Sequence, residues 1–345
     1  MRQKTRLAVL AIAGGAVLLA GCGSGGSGSN NSSAPPANEL ASAVKALGDT
    51  QTLTSTLRLG GTAQDVLKFA AAVQNSLTPA EANAISGIQV AVEVSAPSGK
   101  KVSDLGAGNT SGAGVDVSVS ANGTDYLSVR VVDKVLYVQA DLRDLLNTFG
   151  KGATYAQLQA SGAQLPSFAQ AFIAGRWISL SESAATGLAG GSTSSGSSQQ
   201  FTAVINALKS ILTKDVAVKR TSTGNTDVLE LSANSRALVQ DFVASVTSAL
   251  PSAALALGQV QPNTSQVPSR TITLNANVTG GALSQVSIDL GQFDPKDRVK
   301  FPLELDFTRG GAAISAPSGA VAINPTDLGQ LLASFTGGLG AGLGG

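Results

Sequence analysis

The stretch VDVSVSANGTDYLSVRV, Val115 to Val131, decides how the chain folds. Val115, Val117 and Val119 alternate with Asp116, Ser118 and Ser120, and Leu127, Val129 and Val131 alternate with Ser128 and Arg130. A period of two puts each apolar set on one face of a β-strand and each polar set on the other. Asn122-Gly123 between them suits the positive φ of a tight hairpin turn, so the stretch predicts two paired strands with one apolar face. The same period recurs in IQVAVEV (Ile88, Val90, Val92, Val94), TITLNANV (Ile272, Leu274, Val278), VSIDL (Val286, Ile288, Leu290) and LELDF (Leu303, Leu305, Phe307). Turn signals at Gly224-Asn225 and Gly280-Gly281 join further neighbours. Such strands form a meandering antiparallel sheet covered on one side, not a βαβ winding.

Helical periodicity supplies the cover. It is clearest in Phe201, Val204, Ile205, Leu208, Ile211 and Leu212. It returns in Leu40, Val44 and Leu47, in Val66, Leu67, Phe69, Val73 and Leu77, and in Leu238, Val239, Phe242, Val246 and Leu250. TPAE sets Thr78 as N-cap, Pro79 as the first helical residue and Glu81 as capping-box partner, and NPTD repeats the device with Asn324, Pro325 and Asp327. A one-sided sheet and amphipathic helices bury their apolar faces against each other, so the fold class is α+β. VLYVQADLRDLLNTF and VAINPTDLGQLLASF share D-L-x-x-L-L-x-x-F in register, and SAPSG occurs at Ser95 and again at Ser315. This fits an internal duplication, and equally a capped amphipathic helix and a common turn used twice.

The chain opens with MRQKTR and then the apolar LAVLAIAGGAVLLA, the plan of an export signal and short for a membrane span. LAGC, Leu19-Ala20-Gly21-Cys22, resembles the bacterial lipobox. That resemblance implies cleavage before Cys22 and acylation of its thiol, hence anchoring at the extracytoplasmic face of the cell membrane. GSGGSGSNNSSAPPAN is too polar to order itself and reads as a tether with a reach of roughly 20–24 Å. The organisation expected is a signal peptide over 1–21, lipidated Cys22 and tether over 22–38, an α+β domain over 39–336, and a Gly-rich tail over 337–345. The Ser/Gly-rich segment 189–200 is a loop within that domain or a division between two lobes.

Composition narrows the function. Lys+Arg 23 against Asp+Glu 22 leaves no basic footprint for nucleic acid. Charged residues make up 13%, about half the usual ~25%, so the surface is unusually neutral. With no histidine and one cysteine there is no Ser-His-Asp or Cys-His machinery, no thiolate metal site and no disulfide. SGKK (Ser98 to Lys101) and GAGLGG (Gly340 to Gly345) match nucleophile and nucleotide motifs only in letters, because the strand and helix context those motifs need is missing. Asp141 with Asp144, and Asp294 with Asp297, have cap and turn spacing. Trp177 in GRWISL reads as a strand residue packing in the core. The expectation is a protein that is not an enzyme and holds no metal or cofactor.

The order of lipobox, tether, helix ELASAVKAL, strands TSTLRL, VLYVQADLRDLL and GRWISL, hairpins and a closing AAISAPSGAVAINPTDL resembles the actinobacterial LppX/LprG group of envelope lipoproteins, relatives of LolA-type carriers. The resemblance is one of pattern over most of the exported part. Leu77 to Ile88 and the loop near Gly190 depart from it. It implies a strongly curved antiparallel sheet, a half-barrel with helices on its concave face, enclosing an apolar cavity for an acylated lipid or glycolipid. An envelope transporter is the implied partner. The apolar faces make Phe69, Val90, Val92, Val117, Val129, Val204 and Leu208 the candidate cavity lining. The alternative is a structural or protein-interaction envelope lipoprotein whose sheet and helices fill each other. A solute-binding importer subunit is disfavoured, since the doubly wound α/β halves of that class are absent.

Overall fold

A computed structural model of the chain describes residues 35–72, 76–107, 112–148, 150–162, 165–181, 216–222, 226–237, 240, 269–293, 299–324 and 326. The signal segment, the lipobox Leu19, Ala20, Gly21 and Cys22, the tether up to residue 34, segment 189–200, the helix read over 201–212 with Val204 and Leu208, the helix read over 238–250 except residue 240, and the tail 337–345 lie outside the described residues.

The first half runs α1 (Pro36–Gly48), β1 (Thr52–Leu59), α2 (Ala63–Ala72), α3 (Pro79–Ser86), β2 (Ile88–Ser95), β3 (Gly114–Ala121), β4 (Thr124–Val132) and β5 (Val135–Ala140). Then come α4 (Leu142–Thr148), α5 (Gly152–Gly162), α6 (Ser167–Ile173) and β6 (Ile178–Ser181). The second half is β7 (Ala217–Ser222), β8 (Thr226–Asn234), β9 (Thr271–Thr279), β10 (Ala282–Asp289), β11 (Pro302–Arg309) and β12 (Val321–Ala322). All twelve strands form one open sheet in the order β12-β6-β5-β4-β3-β2-β1-β11-β10-β9-β8-β7. Every pairing is antiparallel except that of β12 with β6. The fold is therefore α+β, built on two meanders that meet where β1 pairs β11. The chain leaves the sheet at Ser181 beside one end and re-enters at Ala217 at the other, so the strands on either side of 189–200 share one sheet.

The turns follow the residue chemistry. Asn122 (φ 52) with Gly123 (φ 82) joins β3 to β4, and Gly280 (φ 58) with Gly281 (φ 73) joins β9 to β10, each pair in the left-handed region. Asp133 (φ 48) and Lys134 (φ 66) make a third such turn without glycine. There the closing pair Val132↔Val135 sets the geometry, which an aspartate adopts readily and a lysine only when strand pairing imposes it. Thr78 and Glu81 form the expected capping box, Thr78 N–H donating to Glu81 Oε2 at 2.8 Å and Glu81 N–H to Thr78 Oγ1 at 3.2 Å.

Register lines the apolar residues into rows. One runs Ile178, Val138, Val129, Val117, Val92, Ser55, Phe307 from β6 to β11. A second runs Ala140, Leu127, Val119, Val90, Leu57, Leu305, Val286, Ala276, Leu229 from β5 to β8. α1 packs on this face: Ala43 and Leu47 join Leu53, Val92, Val94, Leu229, Ala276, Val278 and Leu283 in the main core. Glu39 at its start pairs with Arg220 of β7. Burying a leucine such as Leu47, which is fully enclosed, is worth about 1.5–3 kcal/mol. α6 packs Phe168 and Ala171 on Ile178 and Val138 at the other end of the same face.

The opposite face is polar and is crossed by a strap, residues 310–320, which runs from β11 in the middle of the sheet to β12 at its end. Gly310 N–H donates to Thr52 O at 2.8 Å, Ile314 N–H to Ser95 Oγ at 3.2 Å, and Arg130 Nη1 to Ser315 O at 2.9 Å. Thr52 and Ser95 are buried here although they are polar. Gly114 has no substitute, because a Cβ there would lie 2.7 Å from Ile314 Cβ and 2.9 Å from Ser95 Oγ.

Candidate functional site

The candidate site is the apolar face where it runs out from under α1. Val90, Val92, Val117 and Val129 lie on adjacent strands and point the same way, as the alternation in the sequence requires. Exposure rises across them. Leu53 and Val94 are 1% and 2% exposed, Val92 is 9%, Val117 and Val129 are half-buried, and Leu127 and Val131 on β4 reach 36% and 40%. The result is an aliphatic strip of sheet, covered toward β1 and uncovered at β4. Ser55 breaks the row near its covered side. Its residue is 2% exposed, and its hydroxyl has no hydrogen-bond partner.

The structure does not bring Phe69 to these valines. Phe69 belongs to α2 and stacks on Phe301, ring centroids 4.7 Å apart and planes 16° from parallel, in a separate cluster with Val66 and Ala82. Trp177, read as a core residue, precedes β6 on the polar side, where the Arg130 guanidinium lies 5.2 Å over its ring. A strand carries two faces, and the cation on β4 stabilises the ring on the polar one.

A second recess, of about 440 Å³, opens where β4 and β5 meet α4–α6, with Tyr126, Leu127, Gln139, Asp141, Arg143 and Tyr155 in its wall. Most of its polar groups are engaged in holding the helices. Tyr126 Oη lies 2.9 Å from Thr148 Oγ1, and Tyr155 Oη donates to Ile173 O at 3.2 Å. Gln139 Nε2 donates to Gly175 O at 2.7 Å, and Asp141 Oδ1 accepts the Asp144 N–H at 2.9 Å, which caps α4. The Asp141 and Asp144 pair is thus a helix cap, as its spacing suggests. Nothing in the sequence signalled this recess, because its wall is assembled from elements that carry no shared motif.

Across the sheet, charges are paired in register. Arg58 holds Glu304 at 2.7 Å and Asp306 at 2.6 Å, and Arg130 grips Asp116 with Nε at 2.7 Å and Nη2 at 2.5 Å. Glu93 sits directly opposite Asp116. Burial, and then the Asp116 carboxylate, push the Glu93 carboxyl above the usual glutamate range, with Arg130 opposing. Protonation therefore favours the fold. Stability from this group is full below the ordinary glutamate pKa and is lost as pH rises through the raised one. Glu93→Gln is expected to raise the urea midpoint relative to wild type at pH 7, and the gap should close as pH falls toward about 4. A gap that widens on acidification would mean the carboxylate is stabilising.

Among the described residues no group of three or more His, Cys, Asp or Glu could hold a metal ion, and no helix is long and apolar enough to cross a membrane. No family model matches the chain, and no curated protein matches it.

Proposed function

We propose that this protein is a lipoprotein, anchored through Cys22 at the outer face of the cell membrane, that binds an acylated lipid or glycolipid on the apolar face and hands it to an envelope transporter without covalent chemistry. The observation that carries the reading is the exposure gradient along an entirely aliphatic stretch of sheet, from Val92 at 9% to Val131 at 40%. A filled core would bury both ends alike, whereas a binding trough needs one open end. In this reading the sheet curves as a half-barrel with its helices on the concave side, and Val90, Val92, Val117 and Val129 form the floor. Leu19, Ala20 and Gly21 direct the acylation of Cys22.

Aliphatic side chains recognise acyl chains by burial, at about 0.8 kcal/mol per CH₂. Affinity in a homologous series of fatty acyl probes is therefore expected to rise roughly fourfold per added CH₂ until the trough is filled, and to respond less to exchange of the head group. Lipid mass spectrometry of the purified full chain, followed by titration with that series, tests the reading. A folded protein that emerges lipid-free and takes up none of the probes would replace it with the interaction-lipoprotein reading.

A further inference from the structure

We infer that Ser55 is the polar anchor of the trough and that its hydroxyl donates a hydrogen bond to an acyl ester carbonyl. The inference rests on the acyl-binding reading above and adds a chemical requirement to it. Ser55 lies on β1 between Leu53 and Leu57 on the same face, with Val92 of β2 opposite it on one side and Phe307 of β11 on the other. At 2% exposure it is enclosed, and among the described residues its Oγ is the one buried side-chain polar atom without a partner. Ser95, buried on the other face of the sheet, accepts the Ile314 N–H through its hydroxyl, so the fold does provide for a polar side chain there.

An orphan hydroxyl in an apolar surround costs stability, and four aliphatic or aromatic neighbours offer it nothing. A water molecule is a poor remedy, because it needs two to four polar partners and finds a single hydroxyl. A carbonyl flanked by hydrocarbon meets both demands, accepting the one hydrogen bond while its chains run along the half-buried Leu57 and Phe307. An ionised carboxylate does not, since its charge would be buried with one donor and no cation. The ligand is therefore expected to carry its carbonyl as an ester.

The test uses the full chain and two probes of matched length, methyl palmitate with ¹³C at the carbonyl and hexadecyl methyl ether, which lacks the carbonyl. Wild type is expected to hold the ester roughly two- to tenfold more tightly than the ether, with the labelled carbonyl stretch lowered by hydrogen bonding. Ser55→Ala is expected to equalise the two probes and restore the free carbonyl frequency, while leaving ether binding and the thermal midpoint of the lipid-free protein undiminished. Ser55→Cys, close in volume but a weak donor, should behave likewise and guards against a packing effect of alanine. Equal binding of ester and ether by wild type, or an ester preference that survives in Ser55→Ala, would overturn the role of Ser55 and leave acyl binding intact. Loss of both probes alike in the two variants would overturn it too, as a sign that Ser55 supports the fold. Uptake of neither probe by wild type would overturn the acyl-binding reading, and this inference with it.

Discussion

A chain carrying Val117→Asp is expected to take up no acylated probe. Val117 occupies the middle of the row between Val92 and Val129, half-buried and facing the trough. The nearest charged neighbours in sequence and register, Asp116 and Arg130, point to the other side of the sheet and are already paired, so a carboxylate at 117 gains no cation from them. Burying it under an acyl chain without a partner costs several kcal/mol, enough to cancel the gain from several CH₂ groups. Ser118→Asp is the control, one residue along the same strand but on the opposite face, and should leave uptake at the wild-type level. Circular dichroism establishes that both variants are folded. Should Val117→Asp prove unfolded, Val129→Asp, nearer the open side, carries the same test. A folded variant that binds like wild type would remove the apolar face from the mechanism.

Arg130→Ala is expected to destabilise the protein by roughly 2–4 kcal/mol, a large effect for a side chain on a sheet surface. Three interactions end on one guanidinium: the two-pronged grip on Asp116, the bond to Ser315 O, and the approach over Trp177. Their loss leaves Asp116, with a side chain 17% exposed, facing Glu93 without a cation. It also frees the strap from β4. Arg130→Lys is expected to recover less than half of the loss, since an ammonium cannot fork onto a carboxylate while lying flat on an indole. Urea unfolding measures the stability, and limited proteolysis should show cleavage between Gly310 and Ala320 only in the variants. A change within about 0.5 kcal/mol would mark the cluster as surface decoration.

Local features of this fold were legible because local physics decides them. The alternation in Ile88–Val94 and Val115–Val131 gives β2, β3 and β4 and their common face, and Asn122-Gly123 gives their turn. Leu40, Val44 and Leu47 meet the core as their helical spacing requires. The turn at Asp133-Lys134 escaped because strand pairing imposes it on residues with only a weak preference for it. α5, Gly152–Gly162, escaped because it carries no apolar stripe to betray its period. Strand order escaped for a deeper reason: many strands share one pattern, and nothing in the pattern says which is neighbour to which. In the site, the period of two names the valines, and in TLTSTLRL it sets Ser55 on one face with Leu53 and Leu57. That its hydroxyl finds no partner depends on Val92 and Phe307, 37 and 252 positions away in the chain, which only the assembled sheet brings together.

The pairing of β1 with β11 sets a timetable for assembly. The two strands lie side by side through Leu57 and Leu305, and the bond from Arg58 to Asp306 spans 248 positions. Neither meander is finished without the other, because β1 offers a bare hydrogen-bonding edge until β11 arrives. A chain that emerges from its N-terminus must hold that edge in waiting until nearly all of it has been delivered. Contacts of such long range make for slow folding, and an unpaired edge is the place where one copy captures another. Truncation before Pro302 therefore does more than remove one strand. It leaves two raw edges, β1 and β10, in the middle of the sheet, each open to pairing with another copy.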